Sequence, residues 1–371
     1  MRRRAYFLSG FDPRGASHYY RLFGEQLRRH GRRQGQALSL GRRRGLADGY
    51  LSRWSVANGF ELTFLHWDDI AREHWPRRPW PLLRDVAIFG WWYLVQGGFL
   101  RFARMSPPVA LCGLYPVMFA VLSLLMAVLM ALLVAAVVHG LAGGSAWAIA
   151  MAAAAAAAVL VSAWRWADQL GVVWLFRSIR FTHHLGQARD GRLRVRVQEL
   201  AQRLVALEAQ EPAGEVVLVG HSSGSFVLAM LAAELRRQPA WPALAGRVRL
   251  LTLGQNLANL AVHGRAERFH QDLLELAQEP RPPWLDVTSA DDYLCFAGVD
   301  PYRTCGLPVP PAGPYPALQL VDWATPRGIR NWWQLMGCQF DLHFDYLRCA
   351  GSTAAPVGFD LWTHLLEGLD G

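Results

Sequence analysis

Residues 105–164 contain no Asp, Glu, Lys or Arg, an uncharged run of 60 residues. A run that long leaves few options, because a backbone surrounded by hydrocarbon must satisfy all its polar groups internally, which a helix does. It divides at 139–145 (HGLAGGS), where glycines and a polar tip interrupt two apolar stretches, 114–138 and 146–164. Each is long enough, at roughly 20 residues, to cross a bilayer core as a helix. The second, with MAAAAAAAVLV, forms helix readily and packs closely through small side chains. The sequence therefore predicts an antiparallel transmembrane hairpin over 105–176, inserted between an N-terminal part, 1–104, and a C-terminal part, 177–371.

The flanks orient such a hairpin. Arg84, Arg101 and Arg104 precede it, Arg165, Arg177 and Arg180 follow it, and the turn carries no Arg. By the positive-inside rule both termini then face the cytoplasm. Trp91, Trp92, Tyr93, Trp164, Trp166 and Trp174 read as headgroup-level aromatics, and 86–100 as a segment lying on the bilayer surface. All 38 basic residues are Arg, the bias of a GC-rich genome, and the expected location is a bacterial inner membrane. Residues 1–104 hold 19 Arg against 8 acidic residues, a net of +11 that leaves −2 for the remainder of a +9 chain. Such a basic half suits anionic lipid headgroups, and no motif points to nucleic acid. Five cysteines without a C-x-x-C pair fit a reducing compartment.

Outside the hairpin, short apolar runs at 5–9, 60–67, 215–220, 247–254, 284–289 and 317–323 alternate with helical patterns. This alternation predicts a mainly parallel α/β sheet. Residues 32–44, rich in Gly and Arg, read as a solvated loop. The proline-rich 307–316 reads as either a cap over a site or a stiff linker.

The chemistry concentrates in EVVLVGHSSGSFVLAMLAAEL. Gly220, Ser222 and Gly224 form G-x-S-x-G between a β-branched strand and an amphipathic helix. A turn that tight strains the serine, needs small neighbours, and sets the serine over helix N–H groups that can stabilise an oxyanion. With His221 at the x position, the sequence resembles the lipase and esterase branch of the α/β-hydrolase superfamily over 5–30, 60–70 and roughly 190–371. The resemblance implies a Ser, acid, His order. It points to Asp292, with Asp291 as the alternative, and to His343, with His364 as the alternative. It further implies an oxyanion hole from the amides of Ser223 and of Phe11, which follows Gly10 at the end of the first strand, with Asp12 the next possibility. Departures are the absence of HGGG and of the usual early antiparallel strands, so about six strands are expected.

His66, Asp68, Asp69, Glu73 and His74 lie within nine positions but match no metal motif. His183 and His184 read as interfacial. Neither metal nor cofactor is called for. The leading expectation is a membrane-anchored serine hydrolase acting on an ester or thioester, with a lipid-like substrate at the cytoplasmic face. Acyl transfer by the same residues and a non-catalytic scaffold on the same fold are the alternatives.

Overall fold

The computed structural model describes residues 2–46, 49–56, 59–75, 79–142, 146–308, 315–349 and 358–367. The hairpin's turn tip at 143–145 and most of the proline-rich stretch, 309–314, lie outside them. The chain forms two compact units, one of Met1–Trp75 with Thr182–Gly371 and the other of Pro76–Phe181.

The first unit is built on one sheet of eight strands: β1 (Arg3–Leu8), β2 (Arg44–Gly45), β3 (Leu51–Ser55), β4 (Phe60–Leu65), β5 (Glu215–His221), β6 (Val248–Leu253), β7 (Trp284–Thr288) and β8 (Ala317–Leu320). Their order is β2-β3-β4-β1-β5-β6-β7-β8. The six from β4 to β8 are mutually parallel. They coincide with the six runs read from the sequence, whose inner members are apolar on both faces as a covered parallel sheet requires. The expectation of about six strands is corrected by two antiparallel additions, β3 on β4 and β2 on β3. Antiparallel strands are thus present, but they follow β1 in the chain. β2 also ends the loop expected to be solvated, and there Arg43 hydrogen-bonds Ser17 and Ser52.

Helix Ala16–Arg33 buries Tyr19, Phe23, Leu27 and His30 along one stripe. Tyr19 and Phe23 pack on Phe7, Trp54 and Phe64 of the sheet and on Trp362. Tyr6, Leu218 and Leu250, in the alternate register, point to the opposite face. Helix Gly224–Arg237 packs there against β1, β5 and β6, and helix Gly191–Gln210 packs on it. Helix Gly191–Gln210 also brings Glu208 to Arg4, a wholly buried pair at 2.5 Å, with the Tyr6 hydroxyl donating to the same carboxylate. Burying two charges is tolerated here because their remaining polar atoms are largely hydrogen-bonded.

In the second unit, helices Pro107–Ala142 and Ala146–Gln169 are long and apolar enough to cross a membrane, and they pack against one another. Large side chains such as Leu124, Leu129, Leu132, Leu133, Trp147 and Ile149 remain exposed. The segment read as lying on a surface, 86–100, runs from the second half of helix Pro79–Gly90 through a π-helical turn, Trp91–Val95, into the start of helix Gly98–Met105. Trp91 is 60% exposed, whereas Trp92 and Tyr93 are buried. Their rings fill the space beside Phe89 and Phe102, and the Tyr93 hydroxyl donates to the Ala110 carbonyl.

Candidate active site

In the parallel part of the sheet, β1 leads through its helix toward β4 on one side, while β5 leads through its helix to β6 on the other. The carboxyl ends of β1 and β5 therefore flank a topological switch point, where departing connections open a crevice. Ser222 follows β5 there, and Gly10 lies just beyond the end of β1.

Ser222 has φ +56, a left-handed conformation that non-glycine residues adopt at a cost. Its N–H donates to the Leu253 carbonyl of β6, which holds the strained turn in place. The flanking glycines are required sterically. A Cβ on Gly220 would lie 2.6 Å from the Gly224 carbonyl oxygen, and one on Gly224 would lie 2.6 Å from that of Ser9. Helix Gly224–Arg237 begins immediately after Ser223, so the first amides of this turn have no intrahelical acceptor. A Cβ on Gly10 would meet Ser222 Cβ at 2.9 Å and Oγ at 3.4 Å, which places the Gly10–Phe11 peptide against the serine. The Gly10 carbonyl accepts from Asp12 N at 2.7 Å, so across the trans peptide the Phe11 N–H faces the other way. The Phe11 ring is buried on Trp75. Asp12 is taken up elsewhere. Burial alone would raise its carboxyl pKa, but the Arg14 guanidinium, reinforced by hydrogen bonds, holds it below the ordinary value.

The acid and base candidates meet. His343 Nδ1 lies 2.7 Å from Asp292 Oδ2, with both side chains essentially buried. An ionised carboxylate only accepts, so Nδ1 carries the hydrogen and Nε2 of the neutral ring is left as an acceptor. That Nε2 is buried with no hydrogen-bond partner. Ser222, 6% exposed, makes no hydrogen bond to it. Asp291 turns away and accepts from the amides of Trp323 and Ala324, each at 3.0 Å. His364 packs against Phe359 on helix Leu361–Glu367, and burial lowers its pKa.

Three residues at the site were not identified from sequence. Gln339, one turn before His343 on helix Gln339–Asp345, donates to the Asp291 carbonyl and accepts from Tyr293 N. It clamps the acid loop to the histidine helix. The Tyr346 hydroxyl accepts from Ser289 N at 2.9 Å, a second clamp. Asn256, after β6, donates from Nδ2 to Ser222 Oγ at 3.4 Å and to the Leu294 carbonyl at 3.2 Å. The only sequence signal for Asn256 is a polar pair, Gln255–Asn256, at a strand's carboxyl end. His221 was read only as part of the turn. Its Nε2 hydrogen-bonds the His343 carbonyl at 2.7 Å, and burial pushes its pKa down to about 3.

The acidic cluster near His66 is occupied by other partners. Asp69 pairs with Arg196, Glu73 with Arg192, and Asp68 with His66 and Arg72. A different group, His30, Cys349 and Asp360, brings its polar atoms within 4.8 Å of one another. There Asp360 caps helix Leu361–Glu367 through Trp362 N and Thr363 N. Burial pushes the Cys349 thiol up to about 11, away from the thiolate that a metal takes. His183 is buried, with its ring 5.4 Å from that of His263.

No family model matches the chain, and no curated protein or solved structure matches it either.

Proposed function

We propose that the chain is a membrane-anchored serine hydrolase of the α/β-hydrolase type, cleaving an ester or thioester. The observation that carries the proposal is a left-handed serine at a switch point, whose neighbour His221 hydrogen-bonds the carbonyl of a buried histidine with Nδ1 held by Asp292 and Nε2 without a partner. In the mechanism, Ser222 Oγ attacks the substrate carbonyl as its proton passes to His343 Nε2, and Asp292 stabilises the imidazolium. The carbonyl π pair moves to oxygen, where the Ser223 and Phe11 amides donate to it. Collapse expels the leaving group, which takes the proton from Nε2. Water then repeats the sequence and frees Ser222; an alcohol in its place would make the reaction acyl transfer. Two helices apolar enough to span a bilayer support a lipid-like substrate, since acyl chains are concentrated there, and the flanking arginines support cytoplasmic termini.

The missing hydrogen bond between Ser222 and His343 favours a second reading, a scaffold that binds without catalysis. Catalytic hydrogen bonds often tighten only as substrate binds, which keeps the first reading ahead. One experiment separates the two readings: fluorophosphonate labelling of the detergent-solubilised protein. Wild type is expected to label, and Ser222→Ala and His343→Ala are expected not to. Folded wild type that stays unlabelled would leave the scaffold reading in place.

A further inference from the structure

We infer that Asn256 is a further catalytic residue, whose side-chain amide donates to the Ser222 hydroxyl oxygen and stabilises the charge gained there as the proton leaves. The inference rests on the hydrolase reading above. The orientation of the amide follows from chemistry, because the Leu294 carbonyl only accepts and so must face Nδ2 rather than Oδ1. The second Nδ2 hydrogen is then the one directed to Ser222 Oγ.

The residue is held from two directions. Its backbone N–H donates to Ser225 Oγ at 2.9 Å, and that hydroxyl donates to the Ser222 carbonyl at 2.6 Å. Asn256 therefore contacts the serine through its side chain and, by way of Ser225, through the backbone. Accepting from Nδ2 leaves the Ser222 hydrogen to be donated elsewhere, and His343 Nε2 is, with His221 Nδ1, one of the buried ring nitrogens without a partner at this site among the described residues. On attack the O–H bond breaks, the proton goes to Nε2, and an Oγ lone pair forms the bond to carbon. The Asn256 N–H opposes the transient negative charge on Oγ, and does so again when the C–Oγ bond breaks and that pair returns. A hydrogen bond to an atom gaining charge in a buried site is strengthened as the charge develops.

The test is the second-order rate constant for fluorophosphonate labelling, followed against pH, in wild type, Asn256→Ala and the isosteric Asn256→Asp. Loss of the donor should lower the plateau rate roughly 10- to 100-fold in Asn256→Ala, and at least as far in Asn256→Asp, where a carboxylate opposes the charge. The apparent pKa of the profile should stay in place in Asn256→Ala, because the His343–Asp292 pair is untouched. A role in shape alone would spare Asn256→Asp, which keeps the volume if Asn256→Ala fails to fold. Folded variants that label at the wild-type rate would overturn the inference and leave the hydrolase reading standing. Wild type that does not label removes both.

Discussion

Asp291 and Asp292 are neighbours with opposite fates, and the difference is hydrogen bonding. Asp292 reaches His343 Nδ1 and also accepts from Leu294 N, whereas Asp291 holds the start of the loop after β8 through two amides. The two should therefore separate experimentally. Asp292→Asn is expected to lower the labelling or turnover rate by about 10³- to 10⁴-fold with little change in melting, because an amide no longer fixes the proton on Nδ1. Asp291→Asn is expected to keep most of the rate and to lose ~1–2 kcal/mol of stability, as a charge-accepting carboxylate is replaced by a weaker acceptor. Rate and thermal melting measured on both variants check this pair. The sequence favoured Asp292 and kept Asp291 as the alternative, since side chains on adjacent residues differ in direction only once the loop is folded.

At the level of elements, the strand–turn–helix around Ser222 was legible because all its determinants are local: a β-branched run, three small residues, then a 3.6-residue pattern. What the local pattern omits is the reason the glycines must be there. Gly224 abuts the carbonyl end of β1, more than 200 positions away in the chain, through the Ser9 oxygen. Gly224→Ala should therefore cost ~2–4 kcal/mol, because backbone rather than a movable side chain stands in the way. The expected observation is a melting temperature lower by several degrees together with reduced labelling, since the helix that carries the Ser223 amide must shift. Unchanged melting would count against this account of the turn. β2 and β3 show the converse. Arg44–Gly45 is exposed and LSRWS holds only two apolar residues, so neither has a hydrophobic pattern to read. They are strands because their backbones complete the ladder beside β4.

Across the whole molecule, two buried groups pull stability in opposite directions with pH. Asp286, in β7 with Thr252 donating to one oxygen, is pushed up to about 8 by burial. Its folded pKa lies above the unfolded value near 3.9, so its contribution is full below pH 4 and is lost as pH rises toward 8. His221 is the reverse: pushed down to about 3, it contributes above the unfolded pKa near 6.5 and loses that contribution as pH falls. Asp286→Asn removes the first effect, so its melting temperature should gain on wild type from pH 5 to pH 8. A constant difference across that range would show that Asp286 is ionised alike in the folded and unfolded states there, and that its folded pKa is not raised.

The sequence by itself determined what depends on neighbours in the chain: two long uncharged helices, six core strands, and the strand–serine–helix turn. Periodicity and charge are local properties, and they survive without knowledge of the fold. Tertiary structure alone decided that Asn256 and Gln339 join Asp292 and His343, that Trp92 and Tyr93 turn inward, and that two antiparallel strands extend the sheet. Each of these is a contact between segments distant in sequence or a backbone pairing, and neither leaves a trace in the order of side chains.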